Sequence, residues 1–175
     1  MERERWAKYI EISSNVAVLV VAMALLGAIV STRWWPSPEH AKFENGLQKG
    51  QVLGRLPSID YGAAPQTLVS VLSTKCNYCK ESLPFYKQLY GEQQTAGHVT
   101  RMVAVFPDPK SEVEQYKAQN QLSVESVSAL NYSTINITGT PTLILVDSSG
   151  RVLDFWVGKL SKEEEQHVIE AVARK

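Results

Sequence analysis

An uncharged apolar run near the start of the chain constrains the fold most, because it divides the sequence into two unlike parts. Residues 16–30 read VAVLVVAMALLGAIV. Extended through uncharged flanks to Ser13 and Thr32, the segment has the length of about 20 residues that a helix needs to cross a hydrocarbon core. The aromatic residues beside it, which favour a membrane interface, are Trp6, Tyr9, Trp34 and Trp35. The sequence therefore predicts a transmembrane anchor over residues 13–32, after an N-terminal flank of residues 1–12.

A cleaved signal peptide and a helix buried in a protein core are the two alternatives to a retained anchor. A signal peptidase needs small residues after the apolar run, whereas residues 31–35 read STRWW. A core helix would show a polar face, which the run lacks. Positive charge before the span, at Arg3, Arg5 and Lys8, favours a cytoplasmic N-terminus. The residues after the anchor are then expected outside the cytoplasm, on the periplasmic side.

The rest of the chain reads as a linker and one domain. Residues 33–50 contain prolines and glycines without apolar periodicity, which predicts a tether. Residues 51–175 are enough for one modest hydrophobic core. Lys plus Arg and Asp plus Glu are 18 each, so the overall charge gives no reason to expect nucleic acid as a partner.

The order of predicted elements in this domain indicates an α/β fold. Apolar, β-branched runs predict strands over residues 67–73, 99–106, 142–146 and 152–157. Apolar residues at helical spacing predict one helix from Cys76 to about Gln94. Two further helices are predicted by capping-box patterns, at Ser111-x-x-Glu114 and Ser161-x-x-Glu164. The expected architecture is a central mixed sheet flanked by helices.

The chain has two cysteines, spaced Cys76-Asn-Tyr-Cys79 at the junction of a predicted strand and helix. Unpaired backbone amides and the helix dipole favour a thiolate at a helix N-terminus, which suits Cys76 to nucleophilic attack. Cys79 lies within the first turn, where it is more buried and can reach the first sulfur, so it is suited to resolve a mixed disulfide. Thiol–disulfide exchange requires such a pair.

A zinc site and a structural disulfide are the other uses of closely spaced cysteines. Zinc needs about four ligands, and the three histidines, His40, His98 and His167, do not stand at ligand spacing. A disulfide across two intervening residues closes too small a loop to stabilise the fold much through chain entropy. We therefore expect a redox-active pair, with no metal and no cofactor.

Two separated segments resemble proteins of the thioredoxin fold. Residues 67–90, TLVSVLSTKCNYCKESLPFYKQLY, resemble that family's first strand, CxxC motif and helix, including the proline, Pro84, five residues after the second cysteine. Residues 138–142, TGTPT, resemble its cis-proline loop. With the predicted anchor and an inserted strand and helix, residues 51–175 most resemble the membrane-anchored, TlpA/ResA-like thiol-disulfide oxidoreductases.

This resemblance implies roles for the residues that match the motifs. A cis bond before Pro141 would turn the backbone of Thr140 toward Cys76, where a substrate strand can pair with it. Pro84 is expected to kink the helix, because it removes one internal hydrogen bond. The implied partners are protein thiols and disulfides, together with an electron donor in the membrane.

The chain departs from the family pattern next to the cysteines. Lys75 stands where the family often has tryptophan, and Ser70 stands where it has a buried acid. Lys75 could stabilise the Cys76 thiolate by proximity, and a solvated lysine is the alternative. The residues expected to tune the pair are Lys75, Asn77 and Tyr78. Asp108 and Glu112, near where some relatives carry an acid, are expected to be solvated loop charges.

The sequence thus predicts a thioredoxin-like domain held outside the cytoplasm by an N-terminal transmembrane helix. Its expected function is thiol–disulfide exchange with protein substrates, acting as a reductant. The alternatives are a non-catalytic scaffold or redox sensor with the same fold, and a thiol oxidase.

Overall fold

The computed structural model describes Met23 and residues 46–95, 100–135, 137 and 139–174. The anchor predicted over residues 13–32 lies, apart from Met23, outside these residues. Within the described part of the chain, no helix has the length and apolar character needed to span a bilayer.

A five-stranded mixed sheet forms the centre of the described structure. Its strands are β1 Gln66–Val71, β2 Thr100–Val105, β3 Glu125–Val127, β4 Thr142–Asp147 and β5 Val152–Val157. They lie in the order β3-β2-β1-β4-β5, with β1 parallel to β2 and antiparallel to β4. Five of the six residues of strand β1 are buried, so both of its faces are covered, although Thr67 and Ser70 among them are polar. The mixed sheet expected from the sequence is confirmed.

Helices cover one face of the sheet. They are α1 Asn77–Glu81, α2 Leu83–Thr95, α3 Lys110–Asn120 and α4 Lys162–Ala173. Side chains alternate along β1 and the residue after it, so Leu68 and Leu72 pack in the helical layer while Val69 and Val71 pack in a second core on the opposite face. That second core is closed by apolar residues from outside the strands and α-helices: Leu47, Leu53, Leu56, Ile59, Leu130, Ile135 and Ile137.

The helix predicted from Cys76 to Gln94 is interrupted at Ser82, which separates α1 from α2. Pro84 has no N–H to continue the helical hydrogen bonds, which accounts for an interruption at this point. Ser82 compensates locally, since its backbone N–H and its hydroxyl both donate to the carbonyl of Tyr78, at 3.0 and 2.8 Å. The kink expected from Pro84 is therefore a short break between two helices.

Only one of the two predicted capping boxes forms. Ser161 and Glu164 make both reciprocal bonds at the start of α4. The box predicted at Ser111 and Glu114 is wrong, because α3 begins at Lys110 and its N-cap residue is Pro109, which makes no side-chain capping bond. Ser111 therefore lies inside the first helical turn and not ahead of it.

Candidate active site

The loop between β1 and α1 places Cys76 at the start of a helix. Cys76 is the N-cap residue of α1, and its Sγ accepts a hydrogen bond from the backbone N–H of Cys79 at 3.1 Å. This bond holds the sulfur at the N-terminus of the helix. The side chain is partly exposed, so an external disulfide can reach it.

Cys79 lies directly behind Cys76 in the helical core and is fully buried. No disulfide joins the two residues, and both are free thiols. Burial raises the pKa of Cys79 well above its usual range, and the neighbouring Cys76 sulfur raises it further. The two cysteines of the pair therefore differ in environment: one faces solvent and an amide donor, and the other is held as a neutral thiol.

The loop before β4 lies against Cys76, as the sequence resemblance implied. The Thr140–Pro141 peptide bond is cis. The Cys76 thiol donates to the carbonyl of Thr140 at 3.3 Å. On the other side of this loop, the backbone N–H of Gly158 donates to the carbonyl of Pro141 at 2.8 Å. The structure thus brings Cys76, Cys79, Thr140 and Pro141 together.

Three residues beside the cysteines were expected to tune them. Asn77 and Tyr78 are exposed, and Tyr78 presents 54% of its surface to solvent between the two cysteines. Lys75 is also exposed, with its Nζ 3.4 Å from a carboxylate oxygen of Glu112 on α3. The lysine therefore has an acidic partner of its own, and its effect on Cys76 stays a prediction.

Asp108 is not the solvated loop charge that the sequence predicted. It is 6% exposed, and its carboxylate accepts a hydrogen bond from the backbone N–H of Thr74 at 2.9 Å. Burying a carboxylate costs free energy, and the hydrogen bond from the amide offsets part of that cost. Glu112, the second acid, is partly exposed and paired with Lys75.

Tyr132 is a residue near the cysteines that the sequence analysis did not identify. Its hydroxyl donates to the carbonyl of Leu72, in the segment that leads from β1 to Cys76. Burial raises the pKa of Tyr132 above its usual range, and the nearby charges of Asp108, Cys79 and Cys76 act in the same direction. Tyr132 stands in a stretch of sequence without apolar periodicity. No pattern in the sequence therefore indicated that this residue lies close to the cysteines.

Among the described residues, no group of three or more histidine, cysteine or acidic side chains could hold a metal ion. An open groove of about 450 Å³ lies beside the cysteine loop. It runs between the start of the CxxC helix and α3, and its lining includes Thr74, Lys80, Leu83, Glu112 and Tyr116.

Comparison with known proteins matches this arrangement to a family. The model of a family described as a thioredoxin-like domain matches residues 62–173. No curated protein sequence matches the chain.

Solved structures with the same fold come from several bacteria. The thioredoxin domain of a thiol-disulfide oxidoreductase from Bacteroides vulgatus is 16% identical, with 73% of this chain and 99% of that chain covered and a TM-score of 0.57. A candidate thiol:disulfide interchange protein DsbE from Chlorobium tepidum is 20% identical, with 72% and 99% covered and a TM-score of 0.58. StoA from Bacillus subtilis is 16% identical, with 71% and 96% covered and a TM-score of 0.51. At these identities, the similarity establishes the fold.

Proposed function

Because the chain belongs to the thioredoxin-like domain family, we propose that it exchanges dithiols for disulfides with protein substrates through Cys76 and Cys79. The observation that carries the proposal is the asymmetry of the pair. Cys76 is accessible and accepts an amide hydrogen bond, whereas Cys79 is fully buried behind it with a raised pKa. An exposed attacking thiolate and a protected resolving thiol are what two-step exchange needs.

In the reducing direction the Cys76 thiolate attacks a substrate disulfide. A bond forms between Cys76 and one substrate sulfur, and the other substrate sulfur leaves as a thiolate that takes up a proton. Cys79 then loses its proton and attacks the Cys76 sulfur, so that the Cys76–Cys79 disulfide forms and the second substrate thiol is released. Two electrons pass from the cysteine pair to the substrate, and an external donor must reduce the pair again.

The carbonyl of Thr140, 3.3 Å from the Cys76 sulfur, marks where substrate backbone would bind. A substrate strand laid along this loop would present its disulfide to Cys76 and would pair with the Thr140 backbone. Tyr78, exposed between the cysteines, offers an aromatic surface to the same strand. The described neighbours from Bacteroides vulgatus and Chlorobium tepidum bear names for thiol–disulfide exchange, which agrees with this assignment.

The decisive experiment is trapping of substrates. Full-length protein with Cys79→Ser should accumulate mixed disulfides through Cys76, because the group that resolves them is missing. Cys76→Ser should accumulate few, because its remaining thiol is buried. Non-reducing gels followed by mass spectrometry identify the adducts, and equal trapping by both variants would contradict the assigned roles.

A scaffold or redox sensor with this fold is the second candidate, since the same cysteines could report redox potential without turnover. Catalysed reduction of a protein disulfide with dithiothreitol as electron donor distinguishes the two. We expect turnover that requires both cysteines. A rate no greater than that of an equal concentration of free thiol would favour the scaffold.

We propose further that the domain works outside the cytoplasm, tethered by residues 13–32, and that it acts as a reductant. The apolar run and the charges before it support the location, and a cysteine pair beside a membrane span suits an oxidising compartment. Alkaline phosphatase fused after Lys175 should be active, whereas a reporter that works only in the cytoplasm should be silent. The reverse result would place the domain in the cytoplasm.

The direction of exchange is tested by the redox potential of the pair. With Asn77 and Tyr78 and no proline between the cysteines, we place it between about −270 mV and about −180 mV, the values of thioredoxin and of protein disulfide isomerase. A glutathione titration of the full-length protein measures it. A potential near about −120 mV, that of a strong oxidant, would reassign the protein as an oxidase.

A further inference from the structure

Residues 72–75, which lead from strand β1 to Cys76, are held at two points by side chains from other loops. The hydroxyl of Tyr132 donates to the carbonyl of Leu72. Further along the segment, the backbone N–H of Thr74 donates to a carboxylate oxygen of Asp108 at 2.9 Å. The reaction steps described above use neither side chain.

The loops that carry these two side chains are bonded to each other. Asp108 follows β2 and Tyr132 follows β3, and the carboxyl ends of β1, β2 and β3 meet at one edge of the sheet because the three strands are parallel. The backbone N–H of Ala129 donates to the carbonyl of Asp108 at 2.9 Å. The N–H of Leu130 donates to the carbonyl of Phe106, also at 2.9 Å. Both side chains therefore belong to one connected unit at the edge where β1 ends.

The contact between these loops includes a strained residue. Ala129 has a φ of +58°, a left-handed conformation that is unfavourable for a residue with a Cβ atom. Such conformations persist where the surrounding structure enforces them, and they are common at functional sites. The bond from Ala129 to Asp108 is thus kept at a cost in backbone energy.

The backbone that would bind a substrate is supported separately. The Cys76 sulfur lies 3.3 Å from the carbonyl of Thr140, and the loop of Thr140 is held where the N–H of Gly158 donates to the carbonyl of Pro141. The proposed substrate strand pairs with Thr140, whereas the attacking sulfur is carried by the end of residues 72–75. The alignment of the sulfur with a substrate disulfide therefore depends on both supports.

We propose that Tyr132 and Asp108 are positioning residues, which hold Cys76 in line with a substrate disulfide bound along the Thr140 loop. They act through the backbone of residues 72–75. Attack requires the sulfur to approach the disulfide in line, and a displacement of about 1 Å can cost on the order of a hundredfold in rate. This inference rests on the proposed function, because it concerns the thiol that attacks.

Two other roles for the same hydrogen bonds predict different results. If the bonds only stabilise the fold, their loss lowers stability without changing the reactions of the folded protein. If they set the reactivity of the Cys76 thiol, their loss changes its reaction with every electrophile, whatever its size. A positioning role changes only the reaction with a substrate that binds along the Thr140 loop.

The test compares two reactions of full-length protein in a Cys79→Ser background, where Cys76 is the remaining cysteine. Mixed-disulfide formation with insulin reports attack on a protein disulfide, and alkylation by iodoacetamide reports the same thiol without a bound strand. In Tyr132→Phe we expect the insulin rate to fall about tenfold and the alkylation rate to change less than about twofold. Asp108→Ala should act in the same way. Asp108→Asn keeps an acceptor oxygen for the amide and should recover most of the insulin rate.

Tyr61→Phe is the matched control. The hydroxyl of Tyr61 donates to the carbonyl of Gly54 at 3.3 Å, so this substitution also removes one bond from a tyrosine to a backbone carbonyl. Tyr61 lies before the start of β1 and Cys76 lies after its end, so the strand separates them. We expect both rates to stay unchanged. Urea unfolding checks that every variant is folded under the assay conditions.

Hydrogen exchange tests the positioning without a substrate. In protein with both cysteines reduced, the N–H of Cys79 donates to the Cys76 sulfur at 3.1 Å, so its exchange reports how firmly that sulfur is held. We expect this amide to exchange about tenfold faster in Tyr132→Phe than in unmodified protein. In Tyr61→Phe it should exchange at the unmodified rate.

An unchanged insulin rate in the double variant Tyr132→Phe, Asp108→Ala would overturn the inference. An equal loss in Tyr61→Phe would also overturn it, as would alkylation that slows as much as the insulin reaction. If Cys79→Ser alone is alkylated but forms no mixed disulfide with insulin, the proposed function is contradicted instead. Hydrogen exchange at Cys79 then decides whether Tyr132 holds the Cys76 sulfur in place.

Discussion

The carboxylate of Asp108 accepts the backbone N–H of Thr74 at 2.9 Å, across 34 residues of sequence. Thr74 lies two residues before Cys76, in the loop that sets where the attacking sulfur points. The hydroxyl of Tyr132 binds the carbonyl of Leu72 in the same loop. The position of the cysteine pair is therefore fixed by side chains from outside the CxxC motif.

Replacing Asp108 should loosen this loop. In Asp108→Ala, the Thr74 amide loses its acceptor, so we expect the free energy of unfolding to fall by about 1–3 kcal/mol. Asp108→Asn keeps an acceptor oxygen and should recover most of that loss. Urea unfolding of the reduced proteins measures both. If Asp108→Asn and Asp108→Ala lose the same free energy of unfolding, the hydrogen bond to Thr74 is not the source of the stability that Asp108 provides.

The predicted influence of Lys75 on the cysteine pair should prove small. Lys75 has a side chain that is 75% exposed and is paired with Glu112, so solvent and the acid both reduce its field at Cys76. We expect Lys75→Ala to change stability by less than about 0.5 kcal/mol and to slow alkylation of Cys76 about twofold. The same substitution in a Glu112→Gln background should slow alkylation more, because the lysine is then unpaired. If Lys75→Ala alone slowed alkylation of Cys76 tenfold, the lysine would be a principal partner of the thiolate.

Gly150, in the turn between β4 and β5, should not tolerate a side chain. Its φ is +78°, and a Cβ there would lie 2.8 Å from a ring carbon of the buried Tyr61. We expect Gly150→Ala to destabilise the protein by about 2–4 kcal/mol, through backbone strain and overpacking together. Gly50 is the matched control, with φ +87° and no heavy atom within 4 Å of a Cβ, so Gly50→Ala should cost only about 1 kcal/mol. Thermal unfolding measures the loss of stability in each variant. Equal losses would mean that the contact with Tyr61 does not contribute to the effect of Gly150→Ala.

Local pattern in the sequence was enough to predict four strands of the described sheet, and the family resemblance was needed to predict that the Thr140–Pro141 loop lies against the cysteines. The apolar runs at β1, β2, β4 and β5 are long and are bounded by turn residues, so each could be recognised alone. The CxxC motif and the proline of the Thr140–Pro141 loop are short motifs that proteins of this fold share. The structure brings the loop into contact with Cys76 through the carbonyl of Thr140.

What the sequence did not predict depends on contacts between distant segments. Strand β3 has three residues and forms only because β2 offers it a free edge. Asp108 stands between two prolines, a local pattern of an exposed loop, and its burial depends on the amide of Thr74. The buried hydroxyls of Tyr90 and Tyr116, which have no hydrogen-bond partner among the described residues, likewise follow from the packing of two helices against β1, which periodicity alone does not describe.

The raised pKa of Cys79 should make the reduced protein less stable in alkaline solution. Burial is the main cause of the shift, so the folded state favours the neutral thiol. Because the folded pKa lies above the unfolded value of about 8.5, this stabilisation is complete below that pH and is lost as pH rises. At pH 10 we expect the free energy of unfolding to be about 2 kcal/mol lower than at pH 7. Tyr61 and Tyr116, with pKa values of about 12, should add to the decline above about pH 10.

Urea unfolding of reduced protein between pH 7 and pH 10 measures the effect. Cys79→Ala should remove the decline between about pH 8.5 and pH 10, because the buried thiol is gone. Cys76→Ala is the control, since it removes one thiol and leaves the buried one, and it should keep most of the decline. Equal slopes in the two variants would mean that the fold does not hold Cys79 as a neutral thiol, and the proposed division of roles between the cysteines would lose its electrostatic basis.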